Sequence, residues 1–107
     1  MATYTNVSYA VKNISTAGNS LTTVSSGTLA VSSLVISNTT TSPITASAFV
    51  TRSAVDYFLI RNATIPVGGS LEVIQGNRVI LQTSDALKVS ASANSSADCW
   101  VSALSVV

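Results

Sequence analysis

The chain has 107 residues, one domain's worth, and a chain this size buries roughly two-thirds of its unfolded surface, enough for one modest core. Apolar residues make up 47% of it but charged residues only 8%, against about 25% in a typical soluble domain, and Ser and Thr stand where the charges would be. A net charge of +1 offers no basic field to phosphate backbones, which argues against nucleic acid as a partner, and no stretch approaches the ~18 apolar residues of a membrane-spanning helix.

Period-two alternation dominates from the first residues onward, and helical periodicity is hard to find. Thr3 to Val11 reads as a strand carrying Tyr4 and Tyr9, and residues 1–20 together are a candidate N-terminal arm. The start "MATYTNVSYAVKN" lacks the basic and apolar regions of a secretory signal, so synthesis in a cytoplasm is expected. Gly18 to Gly27 is rich in Ser and Thr around one apolar pair, Leu21 and Val24, and reads as a loop or weak edge strand. Leu29 to Ser37 is the next strand, broken by "NTTTSP".

"ITASAFVT" then puts Ile44, Ala46, Ala48 and Val50 on one face and Thr45, Ser47, Phe49 and Thr51 on the other, the pattern of a half-buried strand. Val55 to Arg61 follows. "PVGGS" turns the chain into Leu71 to Ile74, and "QGN" is short enough to read as a hairpin loop leading to Arg78 to Leu81. After "TSD" the alternation returns in "LKVSASA", with Leu87, Val89, Ala91 and Ala93 on one face, and "ANSSAD" leads into the last strand, Cys99 to Val106. Eight such strands predict one all-β domain over 1–107, an antiparallel sandwich or jelly roll.

The inventory closes most routes to catalysis. There is no His, so neither Ser-His-Asp nor Cys-His arrangements can form, and the common zinc sets are missing; no catalytic, metal or cofactor site is expected. The four acids, Asp56, Glu72, Asp85 and Asp98, are scattered at turns and strand edges. Asp85 in "TSDALKV" can bond neighbouring backbone N–H groups and shape its turn. "PVGGS" precedes a strand instead of a helix and lacks a Lys, so it is turn chemistry and not a phosphate loop. Cys99, alone in an apolar strand, reads as a small buried hydrophobe. Sequons at Asn6, Asn13, Asn38, Asn62 and Asn94 follow from the abundance of Ser and Thr and carry no weight without a route to the glycosylation enzyme.

The remaining polar feature is "TRSAVDYFLIRN". Arg52, Asp56, Tyr57 and Arg61 fall around one strand, where Tyr and Arg can anchor a partner through large area and directed hydrogen bonds. The competing structural reading is an Arg52–Asp56 pair across a turn with a core Tyr at the rim. Together with Tyr4 and Tyr9, these residues are the candidate assembly contacts.

The C-terminal two-thirds, from "DYFLIRNATIPVGGSLEV" to "DALKVSASANSSADCWVSALSVV", resembles small structural proteins of tailed bacteriophages, especially those of cyanophages. A Tyr-containing strand leads there to an "I-P-x-G-x-S-L" turn, a hairpin, a "D-x-L-x-V" strand and a closing "V-S-x-L" strand. Asp56, Tyr57, Ile65, Pro66, Gly68, Ser70, Leu71, Asp85, Leu87, Val89, Val101, Ser102 and Leu104 occupy the matching places. The acidic last residues of such proteins are not matched, since this sequence ends in Val106 and Val107.

The resemblance implies a β-sandwich virion component without enzymatic activity, made in the host cytoplasm and packed in many copies on the particle, first of all as a capsid decoration (cement) protein. A neck, tail or fibre component, including a host-surface or glycan-binding module, is the alternative. The expected partners are other phage structural proteins and further copies of the chain, with neither nucleic acid nor membrane. Few charges leave edge strands open to pairing, which suits a lattice. For sugar stacking the candidates are Trp100, Phe49 and the three Tyr, with Trp100 inside a predicted strand.

Overall fold

The computed structural model describes residues 3–107, and of residues 75–77 only the backbone. Its eight strands are β1 (Tyr4–Val11), β2 (Asn19–Thr23), β3 (Thr28–Asn38), β4 (Ile44–Arg52), β5 (Val55–Ile65), β6 (Ser70–Leu81), β7 (Ala86–Ala91) and β8 (Ala97–Val106). They form two four-stranded sheets, β1-β8-β3-β6 and β2-β7-β4-β5, with every pairing antiparallel. The first strand pairs with the last, the second with the seventh, the third with the sixth and the fourth with the fifth. That nesting is one long hairpin of four strand pairs, rolled so that alternate pairs fall in opposite sheets, which makes the sandwich a jelly roll.

Alternation fills the space between the sheets. Val31, Leu34 and Ile36 of β3 and Cys99, Val101 and Ala103 of β8 point inward from one sheet; Ala46, Ala48 and Val50 of β4 and Leu87, Val89 and Ala91 of β7 meet them from the other. Ala93, which the alternation placed on this inner face, lies past the end of β7 and is exposed. β2 is a true strand: Leu21 anchors it in the core, and its polar residues are tolerable because it lies at a sheet edge.

"QGN" is not a hairpin. β6 runs unbroken from Ser70 to Leu81 beside β3, and the register shifts between Val31 and Ser33 take up the extra residues of β6 as a bulge. Nor does an arm over 1–20 stand apart from Tyr4 onward: β1 pairs with β8 along its whole length and β2 begins at Asn19, while Met1 and Ala2 lie outside the described residues.

The turns follow their residues. Gly69 N–H donates to the Pro66 carbonyl at 3.0 Å with Gly68 at φ 70°, a type II reversal that requires Gly in its third position. Ser53 and Ala54 close the β4–β5 hairpin with φ 53° and 62°, a two-residue turn of type I′ made without the Asn-Gly it favours. Asn38, buried at the end of β3, donates through Nδ2 to the Ser42 and Ile65 carbonyls at 2.9 and 3.1 Å and accepts through Oδ1 from Thr40 N–H at 2.9 Å, fastening two loops at once.

Candidate assembly surface

The sheet orders give the sandwich two long sides, one formed by the edge strands β1 and β2 and the other by β5 and β6. The six candidate contact residues divide between them. Tyr4 and Tyr9 lie on the first side but on opposite faces of β1: Tyr4 is 67% exposed with Asn6, Ser8 and Ala10, whereas Tyr9 packs with Val7 and Val11 against the core. Tyr9 is therefore part of the inner packing, a consequence of odd spacing on a strand.

On the opposite side the "TRSAVDYFLIRN" cluster comes apart. Arg52 does not pair with Asp56; it reaches Asp85, 33 residues away in sequence, with Nε 2.8 Å from Oδ1 and Nη2 2.5 Å from Oδ2. Asp56 instead accepts a hydrogen bond from Thr51 Oγ1 at 2.7 Å. Tyr57 stands opposite Val50, with 57% of its surface exposed, in a shallow cleft with Arg52, Val79, Ile80 and Leu81. Arg61 lies on the outer face, its Cζ 4.9 Å from the centroid of Phe58, which in turn packs on Phe49 at 5.0 Å. A guanidinium over an aromatic face is favourable and orders that part of an otherwise exposed strand.

Asp85 is almost wholly buried, and its Oδ2 also accepts Gln82 N–H at 2.8 Å, while its own N–H donates to the Gln82 carbonyl at 3.0 Å. It shapes the turn as the sequence suggests, and it also ties that turn to the β4–β5 hairpin through Arg52. The Arg52 hydrogen bond, helped by that of Gln82 and opposed by burial, holds the Asp85 carboxyl below its ordinary range. Asp85 correspondingly raises the Arg52 pKa, first through the same hydrogen bond.

Cys99 is not activated as a nucleophile. Burial pushes the Cys99 thiol up to about 12, so it is protonated at neutral pH, as a core residue would be. Among the described residues no three His, Cys, Asp or Glu side chains gather at one place, and no helix is long and apolar enough to cross a membrane.

The outer face of the β1-β8-β3-β6 sheet carries what the sequence reading underweighted. Trp100 points to solvent from the middle of β8, 56% exposed, with Ala10 of β1 on one side and Val35 of β3 on the other. The signal was present in the sequence, because inward Cys99 and Val101 force Trp100 outward. Lys12, Ser37 and Asp98 border the shallow groove beside it, and Ile80 adds an exposed apolar side chain on β6 of the same sheet. No protein-family model matches the chain, and no curated protein or solved structure matches it.

Proposed function

We propose that this chain is a non-enzymatic structural component of a tailed-phage virion, present in many copies and acting first of all as a capsid decoration (cement) protein. The observation that carries the reading is a jelly roll whose surface exposes large apolar and aromatic side chains and carries few charges: Tyr4, Tyr57, Phe58, Ile80 and Trp100 all face solvent. Jelly rolls build viral capsid and lectin domains, an analogy of fold that supports the reading. The resemblance of residues 56–107 to phage structural proteins supplies the rest. Its partners on this reading are head proteins and further copies of itself, with no nucleic acid or membrane, and its place is the virion assembled in the host cytoplasm.

Gold-labelled antibody against the purified chain, applied to particles of the virus that encodes it, tests the assignment. Dense label over the heads supports decoration, label on the neck, tail or fibres moves the protein there, and unlabelled particles contradict a virion role. Trp100 supports a second reading, a glycan-binding module, because an exposed indole bordered by Lys12, Ser37 and Asp98 can stack on a sugar while polar neighbours bond its hydroxyls. Glycan-array binding lost in Trp100→Ala with the fold intact would favour that module.

A further inference from the structure

The four sheet edges are not alike. β2 is five residues long and shifts register between Ser20 and Thr22. β5 carries Asp56 and Arg61 and two register shifts against β4; β6 carries Glu72 and Arg78 and two shifts against β3. Short length, charges and bulges are the devices by which natural edges avoid pairing with other chains. β1 has none of them. Its eight residues, Tyr-Thr-Asn-Val-Ser-Tyr-Ala-Val, contain no charge, no Pro and no Gly, and they pair with β8 without a single shift.

The direction of its backbone groups follows from one pair of hydrogen bonds. Thr3 N–H donates to the Val107 carbonyl at 2.7 Å and Val107 N–H returns to the Thr3 carbonyl at 3.0 Å. In an antiparallel ladder such hydrogen-bonded pairs alternate with non-bonded ones, so Thr5, Val7, Tyr9 and Val11 also turn their amides toward β8. Tyr4, Asn6, Ser8 and Ala10 turn theirs outward, away from the sheet.

We propose that β1 joins two copies of this chain edge to edge, antiparallel about a two-fold axis at Val7, making one continuous eight-stranded sheet. A two-fold perpendicular to a sheet requires each residue to face one of the same parity. Only the register centred on Val7 uses all four outward residues: Tyr4 faces Ala10 of the second copy, and Asn6 faces Ser8. Each of these pairs exchanges two backbone hydrogen bonds. The side chains suit the same register, with the largest residue opposite the smallest on the outer face, Asn opposite Ser beside them, and Val7 against Val7 and Thr5 against Tyr9 on the inner one. Since Ala10 lies beside Trp100 on β8, Tyr4 of the second copy comes to rest in the row that holds Trp100, separated from it only by a methyl group. The exposed Tyr4, the exposed Trp100 and the small Ala10 between them thus have one explanation. With no charge on β1, the two copies meet without like-charge repulsion.

This inference builds on the assembly reading above and fixes one contact within it. One strand pair is a small interface, so the dimer is weak in isolation and gains strength where many copies share a particle. The test is register-specific. In a Cys99→Ser background, Val7→Cys places two thiols across a non-hydrogen-bonded pair with Cα atoms about 4.5 Å apart, within reach of a disulfide, whereas Thr5→Cys leaves its two copies about 14 Å apart. Mild oxidation is expected to link the Val7→Cys protein into a dimer and to leave the Thr5→Cys protein largely unlinked.

Sedimentation equilibrium of the unmodified chain up to about 1 mM should show a dimer, weakened about tenfold or more by Asn6→Lys with Ser8→Lys, which sets like charges face to face, and restored by Asn6→Lys with Ser8→Glu. Trp100 fluorescence should change with dimer formation in the wild type and not in Tyr4→Ala. A monomer throughout this range, equal cross-linking at both positions, or indifference to the paired charges overturns the inference. A chain that dimerises but ignores phage particles contradicts the virion reading alone, and one that coats particles while remaining monomeric contradicts only the β1 pairing.

Discussion

Arg52 and Asp85 form a two-point clasp between the β4–β5 hairpin and the turn that precedes β7, with one partner half-exposed and the other buried. Because the Asp85 pKa is held down in the folded chain, the clasp contributes stability at every pH above the ordinary carboxylate value of about 3.9 and loses it as pH falls through the folded value. Urea denaturation from pH 7 to pH 2 should show this loss in the wild type. Asp85→Asn should be less stable at pH 7, with a flatter acid limb. Arg52→Ala removes the main cause of the depression and leaves burial to oppose it, so it too should be less stable at pH 7 and lose less stability on acidification than the wild type.

Ser53 and Ala54 both occupy the left-handed region, which costs a residue with a Cβ roughly 1–2 kcal/mol. Ser53→Asn with Ala54→Gly supplies the residues a type I′ turn prefers, and about 0.5 kcal/mol of the relief is offset by the extra freedom of Gly in the unfolded chain. The double variant should be more stable by about 1 kcal/mol, read as a higher urea midpoint at unchanged slope. A lower midpoint would show that the turn is held by contacts these residues lose.

Cys99 faces the core from β8, and its thiol is protonated at neutral pH. Cys99→Ser should cost on the order of 1–2 kcal/mol, the penalty for a hydroxyl in an apolar site, with assembly otherwise intact. In the folded wild type the thiol should resist alkylation until the chain is unfolded. Abolished assembly at unchanged stability would mean that the sulfur has a task outside the core.

The strands that bury one face were legible because their alternation is uninterrupted in sequence: Leu87 to Ala91 keeps it in the sheet, and Ile44 to Thr51 keeps it except at Ser47, which is buried where β4 shifts register against β5. Gly76 and Asn77 misled because the dipeptide chemistry of a hairpin and of a bulge is the same. What decides between them is the length of the neighbour, and β3 is long enough to pair with the chain on both sides of the break. β2 was faint because an edge strand needs few apolar residues, and Leu21 is nearly all it has. The alternative that pairs Arg52 with its neighbour Asp56 fails because sequence separation cannot announce a partner 33 residues away; only the pairing of β4 with β7 brings Thr51 beside Ala86 and so Arg52 to Asp85. Tyr4, Tyr57 and Arg61 reach the surface, whereas Tyr9 is held in by its parity on β1.

Association that relies on apolar and backbone contacts, on a chain whose net charge is +1, should depend little on salt, because charge steering beyond about 8–10 Å is screened near physiological ionic strength. The decisive measurement is co-sedimentation of the purified chain with tailed-phage particles, the partner that the proposed function assigns to it, at low and at high salt. Saturable binding of many copies per particle, nearly equal in the two buffers, is the predicted result. A chain that stays in the supernatant in both buffers contradicts the virion role, and binding that collapses at high salt contradicts the proposed means of attachment.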